Sequence, residues 1–109
     1  MNENRTQNFC FLFYSGDYLR DTQCLSEPSQ VAYDRMMCEH LRSLLISPSQ
    51  FNFFTKKLSG DEIDDLMHVL IVDDEGYYIE WVKKSIEARE NYIQSRSNNR
   101  KGKTKKKIL

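Results

Sequence analysis

Glycine and proline are scarce, at four and two residues in 109. The sequence holds no glycine-rich phosphate cradle, no nucleophile elbow and no paired-histidine metal helix. The reading is therefore of a protein that is not an enzyme and carries no cofactor. Cysteine is sparse too. Cys10, Cys24 and Cys38 are an odd number at wide intervals, which suits neither a disulfide framework nor the close pairs of a zinc site. They are expected to be reduced core residues. "CEH", Cys38 to His40, with His68 as a third donor, is the one metal candidate, but positions two apart on a helix point in different directions. "DDEG" at 73–76 lacks the alternating ligands of a calcium loop, so no metal is expected. No apolar run approaches the roughly 18 residues of a membrane span, and the opening "MNENRTQN" is polar, unlike a signal peptide. A cytoplasmic protein without membrane contact is expected.

Acid is missing from one stretch. "SRSNNRKGKTKKK", Ser95 to Lys107, contains seven bases and no carboxylate, although the whole chain balances 16 basic against 16 acidic residues. Removing those seven leaves nine bases against 16 acids in residues 1 to 95, a body about seven negative and a tail seven positive. Such asymmetry suits a tail that meets an anion, most often nucleic acid or a membrane surface. A merely solvated terminus is the plainer alternative.

The apolar content is 39% with 12% aromatic, enough for one ordinary domain once the polar tail is set aside. "NFCFLFY", Asn8 to Tyr14, reads as a buried strand or extended segment packed across the domain. "GDYLRDTQCLSEPS" reads as one short helical turn and a loop with apolar anchors. Ser26 is a candidate N-cap with Pro28 in the first turn, and Val31, Tyr33, Met37, Leu41, Leu44 and Leu45 give a long helix up to Ile46. "SPSQ", Ser47 to Gln50, and "SGDE", Ser59 to Glu62, repeat a serine-to-acceptor capping pattern. They predict a second helix from Pro48 to about Leu58, burying Phe51, Phe54 and Leu58, and a third that buries Ile63, Leu66, Met67 and Leu70. Leu70 to Val72 and Tyr77 to Trp81 read as strands around a turn at Asp73 to Gly76. Helical pattern returns at Val82 and fades at Ser97 to Asn99.

Three helices, a hairpin and another helix follow the order of a winged helix-turn-helix, whose third helix ordinarily reads the major groove. The expected fold is mainly α with a small β-hairpin, α+β: a winged-helix-like single domain at 8–95, a disordered N-terminus at 1–7 and a flexible basic C-terminal tail at 96–109. Chemistry opposes the usual docking. The third helix carries Asp61, Glu62, Asp64 and Asp65, and the wing tip Asp73, Asp74 and Glu75, against a phosphate backbone with one charge per roughly 1.7 Å of duplex. DNA is therefore expected on Arg96, Arg100, Lys101, Lys103, Lys105, Lys106 and Lys107, with Lys83 and Lys84 as secondary contacts. Lys56 and Lys57 would extend the same field or simply lie on a solvated helix face. One of Tyr77 and Tyr78 should face the core, the other being available to stack on unpaired bases. Trp81 is assigned to the core.

"FLFYSGDYLRDTQCLSEPSQVAYDRMMCEHL", Phe11 to Leu41, and "GYYIEWVKKSIEARENYIQSRSNN", Gly76 to Asn99, resemble the YdaU-like N-terminal domain of prophage replication-initiation proteins. The resemblance rests on "FLFY", "GDYLRDT", the leucine-serine opening of a helix, and the hairpin with its closing helix. It implies a winged-helix-like domain in phage or prophage DNA replication, with DNA and replication proteins as partners. The competing expectation is an adaptor whose acidic third helix and wing dock a basic protein.

Overall fold

Three serines set the helical frame. The structure, a computed structural model, describes residues 10–108, with side chains described through Ser97. After α1 (Ser15–Thr22), α2 (Glu27–Ser43) starts on Ser26, α3 (Pro48–Thr55) on Ser47, and α4 (Gly60–His68) on Ser59. Each serine hydroxyl accepts from a backbone N–H three residues on, and Gln50 and Glu62 complete two reciprocal capping boxes. Caps of this kind contribute about 1 kcal/mol each, so the start of each helix is written locally. The strands β1 (Ile71–Val72) and β2 (Tyr77–Tyr78) pair antiparallel, and α5 (Glu80–Ile108) closes the chain. The fold is mainly α with a small β-hairpin, α+β; α2 to α4, the hairpin and α5 follow the expected order, and α1, an eight-residue helix where one short turn was expected, precedes them.

The wing is tied to the helices on its other edge. Ile46 pairs with Tyr77 through two backbone bonds of 3.1 and 2.8 Å, acting as a one-residue third strand. At the turn, the Asp73 carboxylate accepts from the N–H groups of Glu75 and Gly76. Gly76 passes so close to this pairing that an added Cβ would lie 2.4 Å from the Ile46 carbonyl oxygen, which leaves room only for glycine.

α2 is the central element, packing against α3, α4 and α5. It buries Ala32, Tyr33 and Met36 against Ile46, Phe51, Leu66, Leu70, Ile79, Trp81 and Val82. Full burial of such side chains stabilises the fold by roughly 1.5 to 3 kcal/mol apiece. Two polar nodes lie within this core. Trp81 Nε1 donates to the Tyr33 hydroxyl at 2.9 Å, Tyr33 donates to Asp21 at 2.8 Å, and Arg20 closes on Asp21, which joins α1, α2 and α5. At the other node the Ile79 N–H donates to His40 Nδ1 at 3.2 Å, fixing the hydrogen on Nε2, which has no partner. A third link spans α2 and α4: the Ser26 hydroxyl donates to Glu62 at 2.6 Å, so one carboxylate serves the caps of both helices.

Several expectations need correction. Residues 10–14 form no strand; Cys10, Leu12 and Phe13 are exposed, Phe11 and Tyr14 half-buried, and the segment is held to α5 by Ser85 Oγ donating to the Leu12 carbonyl and Arg89 donating to that of Cys10. Cys10, Cys24 and Cys38 are free thiols but exposed, not core residues. The apolar stripe of α2 is shifted: Val31 is exposed, while Met36 and His40 are buried. Trp81 is buried as expected, yet it belongs to the first turn of α5 rather than to a strand, since β2 ends at Tyr78. The backbone of α5 runs on to Ile108, past Ser97 to Asn99 where the apolar pattern fades. The N-terminus assigned to 1–7, Asn8 and Phe9 of the aromatic run, and residue 109 lie outside the described residues.

Candidate nucleic-acid interface

α5 carries most of the residues singled out for phosphate binding. Its first turns are core: Trp81, Val82 and Ser85 are buried, whereas Lys83 and Lys84 between them are exposed. From Glu90 to Arg96 every residue is exposed. The helix thus leaves the packed body and continues as a carrier of charge. Positions 96, 100, 103 and 107 recur at intervals of four and three along its backbone, the spacing of one helical face. Lys101, Lys105 and Lys106 complete the set, and the side chains of Arg100 and the five lysines lie outside the described residues.

The described cations keep company with aromatic rings. Arg96 lies over Tyr92 at 5.7 Å from the ring centre, Lys83 over Tyr78 at 5.3 Å, and Lys56 over Phe53 at 4.5 Å. Exposed contacts of this type contribute about 0.5 to 1 kcal/mol and hold the charge at a fixed place. Lys83 also faces the wing acids, being close enough to Asp73 to help hold its carboxyl below the usual range, after the Glu75 and Gly76 N–H groups. The two lysine pairs occupy different elements: Lys83 and Lys84 stand on α5 beside the wing, and Lys56 and Lys57 at the end of α3 against α2.

The tyrosines of the wing are engaged internally. Tyr77 stacks on Phe51 with ring centres 4.1 Å apart and planes 6° from parallel. Tyr78 meets His40 edge to face at 5.7 Å and donates to Glu75. Both rings are half-buried; Tyr77 is the one that packs against the core, as expected of one of the pair, and Tyr78 lies outside that cluster against His40. Burial, followed by the charges of Asp73 and Glu75, pushes the Tyr78 hydroxyl above its ordinary range.

The acidic surface divides into working and uncommitted carboxylates. Bonds from Ser26 and Ser59 hold Glu62 below the usual carboxylate range. Glu62 and Asp73 are thus structural groups rather than a repulsive field alone. Asp61, Asp64, Asp65 and Asp74 are exposed, while Asp17 and Asp21 pair with Arg20 on α1. The exposed acids thus gather on α4 and the wing tip, whereas in sequence the bases gather at the end of α5.

The metal candidates are spread out. Cys38 is exposed, His40 is buried, and His68 lies on the exposed side of α4 against the Asp64 carbonyl. Among the described residues no group of three or more His, Cys, Asp or Glu side chains is placed to hold a metal ion, and no helix is long and apolar enough to cross a membrane. The sequence reading missed Arg35, which the fold brings beside Lys56 and Lys57 from a separate helix. No local signal joins positions some twenty residues apart. No family model, no curated protein and no solved structure matches the chain.

Proposed function

We propose that this chain is a non-enzymatic, cytoplasmic nucleic-acid-associated protein, serving DNA replication of a phage or prophage, with the winged-helix-like body acting as a mount for a basic C-terminal segment. The observation that carries this reading is the charge division along α5: its start is bolted into the core by Trp81 and Val82, and its end holds seven bases and no acid. Arg96, Arg100, Lys101, Lys103, Lys105, Lys106 and Lys107 bind phosphates, and Lys83 and Lys84 add to them. Such contacts position a protein on DNA without reading bases, so selectivity for sequence is low. The resemblance of "FLFY", "GDYLRDT" and the closing helix to the YdaU-like domain supports the replication setting.

The test compares the full chain with a version ending at Ser95 on a fluorescent single strand and a matching duplex across a salt series. Seven neutralised phosphates give a log-log salt slope of about −5 on the single strand and about −6 on duplex. Equal binding by the two versions would place DNA on the body and refute the assignment. Absence of binding at low salt would favour the second reading, an adaptor for a basic protein, which the uncommitted Asp61, Asp64, Asp65 and Asp74 support.

A further inference from the structure

The exposed groove between α2 and α3 differs in character from both charged regions. Val31, Phe53, Phe54 and Leu58 form its apolar surface, in a depression of about 440 Å³. Val31 is 50% and Phe53 60% exposed, high values for large side chains that lie together. Isolated exposed apolar residues need no explanation, but a contiguous set within a concave surface marks a place for a ligand or partner.

The rim has a single sign. Arg35 comes from α2 and Lys56 and Lys57 from the end of α3, and no carboxylate lines the groove. Of the acids near it in sequence, Asp34 accepts from Tyr18 and Glu39 from Gln50 and Ser43, while Glu27 is exposed beside Pro28 and is not part of the lining. The negative end of the α3 dipole accounts for two lysines at that place. It does not account for Arg35 on another helix, nor for Phe53 turned to solvent beneath Lys56.

We propose that this groove docks an acidic amphipathic segment of a partner protein, whose apolar side chains lie on Phe53 and Val31 and whose carboxylates meet Arg35, Lys56 and Lys57. Charge complementarity selects the occupant: a body rich in uncommitted acids presents here an acid-free rim over an apolar floor. An amphipathic helix laid in a groove uses this combination, apolar anchors for affinity and flanking charge for register. Single-stranded nucleic acid fits less well. Its bases need a series of open aromatic faces, and Phe53 has Lys56 over its ring and Phe54 against it at 5.6 Å. The inference is independent of the role given to the C-terminal bases.

Fluorescence anisotropy of the full chain with three labelled synthetic peptides tests it. One peptide carries leucine and phenylalanine at helical spacing with glutamate elsewhere; the second scrambles that composition; the third replaces glutamate by lysine. The amphipathic acidic peptide should bind most tightly, and Phe53→Ala and the double change Arg35→Glu with Lys56→Glu should each weaken it by about tenfold or more, as loss of an interface anchor does. Thermal melts check that these variants remain folded, and oligonucleotide binding should stay unchanged in the charge-neutral Phe53→Ala. Equal binding of acidic and scrambled peptides, unaffected by the groove changes, would assign the carboxylates to the C-terminal bases and overturn the proposal. So would loss of single-strand binding in Phe53→Ala, or a dimer in sedimentation that either variant dissolves, since nucleic acid or a second copy would then be the occupant.

Discussion

The two ends of α5 obey different rules although one helix contains both. At the start, Trp81, Val82 and Ser85 are buried, with Trp81 donating to Tyr33 and Ser85 to the Leu12 carbonyl. Toward the far end the residues turn to solvent, and bases replace apolar contacts. Helices in proteins take most of their stability from an amphipathic face packed on something. The comparison teaches that substitutions at the start should be read as stability and substitutions at the end as charge.

The largest effect that would break this comparison is expected at the start of the helix. Trp81→Ala removes a buried aromatic and the donor to Tyr33, and should cost about 3 to 5 kcal/mol, measured by urea unfolding with a backbone circular-dichroism signal. Acid should act nearly as strongly through His40. Burial, then the charge of Lys83, lowers its pKa to about 4 against an ordinary 6.5, so the unfolded chain takes the proton first. Its contribution is therefore complete above about pH 6.5 and is lost as pH falls toward about 4, a change of about 3 kcal/mol. Stability measured across that window should decline more steeply in the natural chain than in His40→Gln. A null difference would mean that His40 is solvated.

Glu62→Gln tests the double cap and should lower the urea midpoint by less than either change above, because the charge that accepts from Ser26 and from the Ser59 N–H is lost. The smallest change in stability belongs to the far end. Arg100→Ser, Lys103→Ser and Lys107→Ser together should leave the melting midpoint within the effect of about 0.5 kcal/mol usual for surface changes. The same triple change should make the duplex salt slope shallower by about 3. A large loss of stability in this variant would erase the distinction between the two ends.

What was legible in the sequence lies within a few residues of itself. Ser47 with Gln50 and Ser59 with Glu62 cap their helices as the spacing predicts, and Asp73 with Gly76 makes the turn of the wing. The charge division was readable by counting. Pairings across 36 or 48 positions, Ser26 with Glu62 and Tyr33 with Trp81, leave no periodic trace. Nor does the burial of His40, a polar residue that periodicity treats as solvent-facing until Ile79 supplies a backbone donor. The aromatic run at 8–14 was read as a strand or an extended segment because apolar runs of that length serve several purposes, and nothing local tells them apart. The groove beside α3 was hidden for the same reason, since Arg35 joins Lys56 and Lys57 only in three dimensions.

Trp81 is the one tryptophan in the sequence. It is buried where the first, second and last helices meet, with its indole N–H bound to Tyr33 and the Phe13 ring 5.4 Å away at 86°. The protein therefore contains its own optical reporter, and that reporter sees a single junction. Its emission should redden when the α1–α2–α5 contact opens and stay unchanged while phosphates gather on the distant bases. One cuvette then separates opening of the body from events at the charged end, without any attached dye.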